Sequence, residues 1–169
     1  MSHKDLQNAI SHYAEAYRKI QDLQDSLPWI PHGDQKTGCI GEYYAYAYLL
    51  SRYNEEKLTF GGHSEKGWDI KVNDTPPWHI QVKTVSAFSK TRTLSPIHNG
   101  WQQLFIVFLN KALKPEGFWI VSDTTLPGAN GKLQGAKCRL PGNDKTGSPA
   151  IPFGPNRVQE MLNALGKID

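Results

Sequence analysis

Apolar positions at Leu6, Ile10, Tyr13, Tyr17, Ile20 and Leu23 recur at intervals of four and three. That spacing draws one stripe along a helix and predicts an α-helix over residues 3–27. Ser2 is placed to cap its start, with Asp5 three residues on as a partial capping box, and Pro28 to end it. The stripe can pack on the rest of the chain or, since its spacing approaches a heptad, pair with a second copy. A turn-rich link, 28–35, precedes a second predicted helix over 37–53, where GCIGEYYAYAYLL is apolar or aromatic at nearly every position. Such a helix is expected to be buried over much of its surface. Gly38 and Gly41 near its start would allow another backbone to approach closely. Glu42, its one acid, is expected in the first turn, where the helix dipole favours negative charge.

The period then changes from helical to extended. Leu58-Thr59-Phe60, Trp68–Val72 and Trp78–Val85 read as strands, with Asn73-Asp74-Thr75-Pro76-Pro77 as a turn between the last two. On the third strand, period 2 sends Trp78, Ile80, Val82 and Thr84 one way and His79, Gln81, Lys83 and Val85 the other. LFIVFL at 104–109 and FWIV at 118–121 are continuous apolar runs, as expected of strands covered on both faces. Between the third strand and LFIVFL, the stretch 86–100 is polar, and Pro96 and Gly100 interrupt it. Residues 123–155 are rich in Gly and Pro and too long for an inert connection, which predicts a functional loop carrying short strands or a partly disordered one. A last helix is predicted over 156–166, with Asn156 as N-cap and Gly166 as its stop. The order of elements gives an α/β (α+β) chain with a mixed sheet. GDQKTG at 33–38 and GNDKTG at 142–147 are alike in turn composition only, and neither has the form of a P-loop.

Composition narrows the picture without deciding it. With 169 residues, 38% hydrophobic and 21% charged, the chain fits one soluble domain. Its net charge of +3 is compatible with nucleic acid but too small to require it. No apolar run approaches a membrane span, and the N-terminus lacks the apolar segment of a secretory signal, so a cytoplasmic setting is expected. Cys39 and Cys138 lack metal-site spacing and are expected as free thiols.

The polar residues at the two middle strands carry the chemistry. Asp69 and Glu42 offer two carboxylates, Gln81 an amide oxygen, and Val82 a backbone carbonyl. Hard oxygen donors of this kind suit Mg²⁺, with Mn²⁺ as a substitute, better than Zn²⁺. Lys83 beside such a cation can orient a water and stabilise charge building on a phosphoryl group. Lys71 shares a strand face with Asp69 by period 2. Ser86, Ser89, Lys90 and Arg92 follow the strand and are of the types that contact phosphates. Trp68, Trp78 and Trp101 could stack on bases, though at least two of them are expected in the core. His79 shares a face with Gln81 and Lys83, while His63 and His98 stand alone.

A helix glutamate, a strand aspartate and a Gln-Val-Lys triplet on the next strand resemble the PD-(D/E)xK nuclease superfamily, the restriction-endonuclease-like fold. The residues are Glu42 in GCIGEYYAYAYLL, Asp69 in GWDIKV and Gln81-Val82-Lys83 in IQVKTVS. The glutamine in the triplet is similar to the variant of Mrr-type nucleases. The resemblance spans about 36–125 and implies an αβββαβ core, a Mg²⁺ cofactor and hydrolysis of phosphodiesters in nucleic acid. DNA would be the usual substrate, RNA is not excluded, and restriction, defence or repair are suitable roles. Glu42, Asp69, Gln81 and Lys83 would be catalytic, with Glu42, Asp69, Gln81 and Val82 holding the metal. A homodimer would serve cleavage of two strands. The chain departs from the pattern at Trp68, which stands where the family has proline, and at Gln81, a neutral ligand. In the 86–100 stretch the expected crossover helix is short or distorted. A non-catalytic nucleic-acid-binding module on the same fold and a protein-interaction domain are the alternatives.

Overall fold

The computed structural model describes residues 3–32, 35–62, 65, 67–122, 140 and 153–167, with side chains except those of 3–6 and 8–11. The first helix, α1, runs His3–Ser26, and the second, α2, Lys36–Leu50. A 3₁₀ turn at Glu55–Lys57, not foreseen from the sequence, leads into the strands. These are β1 (Leu58–Phe60), β2 (Ile70–Val72), β3 (Trp78–Ser86), β4 (Gln103–Leu109) and β5 (Pro115–Ser122). The chain closes with α3, Val158–Leu165. The five strands form one mixed sheet in the order β1-β2-β3-β4-β5. Among the described strands, only β3 and β4 run parallel. The protein is therefore α+β.

The sheet is covered on both faces, which explains the unbroken apolar run of β4. One face carries Ile70, Val72, Ile80, Val82, Phe105, Val107, Leu109 and Phe118 against α2 and α3. Tyr48 of α2 meets the edges of Phe105 and Phe118 there, with ring centroids 5.9 and 4.8 Å away. The other face buries Val85, Leu104, Ile106, Phe108 and Val121 under Leu94, Ile97 and Trp101. Parallel β3 and β4 need a crossover, and this is normally a helix. Here no helix forms between β3 and β4: an irregular segment supplies Leu94, Ile97 and Trp101 in its place. Pro96 and the positive φ of Gly100 (118°) break any continuous helical ladder.

Several boundaries move. Asn156 lies one residue outside the assigned N-cap of α3, yet its Oδ1 accepts hydrogen bonds from the amides of Val158 and Phe118, both at 3.0 Å. It ties the helix start to β5. Gly166 ends the helix in an ordinary right-handed conformation rather than a left-handed one. On α1, Tyr13 and Leu23 are 70% and 48% exposed. The buried contact on this helix is made by Gln24 instead, its amide donating to the carbonyl of Pro31. Cys39 is buried. Ser2, His63, Lys66, Cys138 and most of 123–155 lie outside the described residues, as do the side chains of Asp5, Leu6 and Ile10. Among the described residues, no helix is long and apolar enough to cross a membrane.

Candidate active site

The close approach of α2 to β3 organises the site. Gly41 faces Thr84, and a Cβ at position 41 would lie 1.9 Å from Thr84 Oγ1 and 2.8 Å from its Cβ. Only glycine lets the helix sit this low on the strand, and the next residue is Glu42. Gly38, by contrast, has only the Cβ of Gln35 within 4.0 Å of such a position. Close contact at α2 therefore belongs to Gly41 alone, and it is with a side chain rather than a backbone. Glu42 is also not in the first turn of α2. The helix dipole does not account for it there.

Asp69 stands immediately before β2. Its amide donates to the carbonyl of Ile80, and its own carbonyl accepts from Gly61, both at 2.8 Å. The side chain then continues where β2 cannot: Oδ2 accepts the amide of Val82 at 2.6 Å. In a strand, the N–H and C=O of one residue point to the same side. The carbonyl of Val82 thus lies on the same edge of β3 as the Asp69 carboxylate. Lys83 follows directly. Glu42, Asp69, Val82 and Lys83 all line one open cleft of about 690 Å³.

The electrostatics reflect this convergence. Burial pushes the Glu42 carboxyl up to about 8, with the Asp69 charge adding to the effect and Lys83 opposing it. Burial also raises Asp69, against the Val82 hydrogen bond and the positive charge of Lys83. Lys83 is lowered by burial, with the two carboxylates pulling the other way. Two partly buried acids and a partly buried lysine are costly together, and such groupings concentrate at functional sites.

A stability consequence follows from Glu42. Its ordinary value is 4.5 and its folded value about 8, so the fold favours the neutral acid. The associated stability is fully present below about pH 4.5 and is lost as pH rises through about 8. Between pH 6 and 8.5, metal-free protein is expected to lose melting temperature, and Glu42→Gln to flatten that slope. Melts that rise over this range in wild type and variant alike would contradict the assignment.

Gln81 has a different position from the one its sequence suggests. It is 1% exposed, and its Oε1 accepts the amide of His98 at 3.0 Å. It does not line the cleft among the described residues. The Gln81 side chain pins the crossover segment beneath β3, and the His98 carbonyl in turn accepts from Trp101 Nε1 at 2.8 Å. Gln81→Ala should cost about 1–3 kcal/mol by stranding that amide and opening space. An unchanged urea midpoint in this variant would remove Gln81 from that role.

The other candidates also sort by position. Lys71 pairs with Thr59 and His79 in the sheet and does not line the cleft. Ser86 is buried, and its carbonyl accepts from Ser89. Lys90 is exposed, and the Arg92 guanidinium lies 4.8 Å from the Phe108 ring centre. None of Ser86, Ser89, Lys90 or Arg92 lines the cleft. Thr93 and Ser95, a few residues on, do so instead, together with Thr84 and with Lys36 and Thr37 at the start of α2. The sequence held a signal for the last pair, since Lys36-Thr37 falls in GDQKTG, but not for the turn that brings Thr93 and Ser95 round. Lys36 also donates to Gln21 at 2.7 Å and to Gln24, and lies 4.6 Å from the Tyr17 ring centre. These contacts fasten α1 as a wall of the cleft, where Tyr13 joins the lining. The His79 ring lies 4.8 Å from that of Trp68, tilted by 34°, Trp78 meets Tyr53 edge-on at 6.2 Å, and Trp101 is buried. All three tryptophans have partners within the fold.

Among the described residues, no group of three or more His, Cys, Asp or Glu is arranged around a common centre. Metal binding here would depend on the two carboxylates with backbone oxygens. No family model matches the sequence, and no curated protein matches it. Among solved structures the chain is similar to a bacterial homing endonuclease, I-Ssp6803I, at 18% identity and a TM-score of 0.47, over 80% of this chain and 94% of that one.

Proposed function

We propose that this chain is a divalent-metal-dependent endonuclease of the PD-(D/E)xK kind, acting on DNA. The observation that carries the reading is the convergence of Glu42, Asp69, Lys83 and the Val82 edge in one cleft. The donor set fits Mg²⁺ or Mn²⁺. Two carboxylates pressed together by the fold, with pKa values raised by burial, are the setting a divalent cation would relieve. Glu42, Asp69 and the Val82 carbonyl would hold it. Gln81, buried with its Oε1 on the His98 amide, would support the site from beneath β3 rather than hold the cation. When bound, the cation would clamp the phosphate and lower the pKa of a coordinated water.

The chain's own residues do the rest. Asp69 is oriented by the Val82 amide and so presents a fixed carboxylate edge. Glu42 is held at its height above β3 by the Gly41–Thr84 contact. Lys83, partly buried with its pKa lowered, donates hydrogen bonds to the attacking water and to the phosphoryl oxygens as negative charge grows on them. Thr37, Thr84, Thr93 and Ser95 offer hydroxyls to neighbouring phosphates. A homodimer would bring two such sites to one duplex.

The test is direct. Supercoiled, linear and single-stranded DNA, and RNA, are incubated with the protein in Mg²⁺, in Mn²⁺ and in EDTA. Cleavage of DNA that requires the cation is the expected result. Absence of cleavage on every substrate would defeat the proposal.

A further inference from the structure

Glu42 and Asp69 line a second cleft as well. It has a volume of about 420 Å³ and lies between the link after α1 and the bend after β1. The two clefts share Glu42 and Asp69 and no other described lining residue, so the carboxylate pair forms the saddle between them. Their chemistry differs. The first holds Lys83, Lys36 and the hydroxyls. The second is walled by Leu27, Pro28, Ile30, Pro31 and Phe60, floored by Gly61 and Gly62, which bring no side chain, and has His32 and Glu65 as its further polar lining.

We infer that this second cleft receives the nucleoside that leaves from the scissile phosphate. The inference rests on the nuclease reading and adds a direction to it. In an in-line displacement, the attacking and leaving oxygens lie on opposite sides of phosphorus. Lys83, which orients the water, lines the first cleft and not the second. Attack therefore comes from the Lys83 side, and the departing group moves across the saddle. The water oxygen bonds to phosphorus as the phosphorus–leaving-oxygen bond breaks. The water's proton passes to solvent, and the leaving oxygen takes a proton from solvent. A sugar and base then need a recess with room for a ring: its apolar walls can take the base, its polar groups can meet the sugar and base edges, and clefts of this size hold small ligands. Phe60 and the prolines give flat apolar surface, and the bare backbone at Gly62 leaves the floor open.

Gly62 supplies the test, because a Cβ there meets no atom of the described residues within 4 Å. Gly62→Phe adds a ring over the recess at a position the fold does not crowd. Three measurements are made on wild type and variant: thermal melts, Mn²⁺ binding by electron paramagnetic resonance, and Mg²⁺-dependent DNA cleavage. The expected result is cleavage reduced at least about tenfold, with melting temperature and Mn²⁺ affinity kept, since the lost step is placement of substrate rather than of metal. If Gly62→Phe does not fold, Gly62→Glu carries the same test by placing a negative charge beside the polyanion. A folded blocked variant that cuts at the wild-type rate would overturn the inference and leave the nuclease reading standing. A wild type that cuts nothing would end both.

Discussion

Asp69→Asn should lose cleavage by about 10³-fold or more, while the metal-free protein melts no lower than wild type. The two halves of this result have one cause. The asparagine oxygen can still accept the Val82 amide, so the strand edge keeps its geometry. What disappears is the negative charge that would hold a cation. The same charge raises Glu42 and is itself partly buried, so its removal relieves the metal-free fold. Loss of function with gain or retention of stability is the mark of a site where like charges are kept together for use. Lys83→Met should lower cleavage by about 10²-fold while leaving Mn²⁺ binding in place, because in the proposed mechanism Lys83 acts on the water and the phosphate rather than on the cation. Gel assays beside melting curves would decide both. Asp69→Asn cutting like wild type would remove the proposed centre. A large drop in its melting temperature would make Asp69 chiefly a structural residue.

Gly41→Ala is expected to be nearly as damaging to cleavage, by a different route. The added Cβ would sit 1.9 Å from Thr84 Oγ1 and 2.7 Å from its Cγ2, so α2 must lift from β3 or Thr84 must turn away. Overpacking of this kind costs about 1–3 kcal/mol. The damage to activity should be larger than the damage to stability, since Glu42 rides on the same turn and a shift of about 1 Å at a reacting centre can cost 10²-fold. Thr84→Ala in the same chain removes the two nearest atoms and leaves the Cβ at 2.8 Å. It should therefore return part of the stability, and the double-mutant cycle should show strong non-additivity. Additive effects, or a Gly41→Ala protein that cuts and melts like wild type, would show that close packing at this point does not set the height of Glu42.

The comparison of chain and structure divides along local and non-local lines. Period 2 in WHIQVKTVS placed Lys83 on β3, and the turn at 73–77 placed Asp69 beside it, because strand alternation and turn chemistry are properties of adjacent residues. The unbroken run LFIVFL announced a strand covered on both faces for the same reason. The sequence by itself thus determined the α+β order of elements and singled out Glu42, Asp69 and Lys83, which the structure gathers in one cleft. Tertiary structure alone decided the use of each neighbour. Gln81 sits in the triplet with Lys83, yet its amide oxygen meets His98, since a crossover segment far along the chain folds back under that face. Thr93 and Ser95, rather than Lys90 and Arg92, reach the cleft because the segment turns irregularly where a helix was expected. Gly41 and Gly38 look alike in sequence, and only the nearness of Thr84 separates them. The second cleft has no sequence signature at all: it exists where the link after α1 and the bend after β1 meet the far side of the two carboxylates. Such contacts depend on how elements pack at distances of a few ångströms, and no local pattern encodes that.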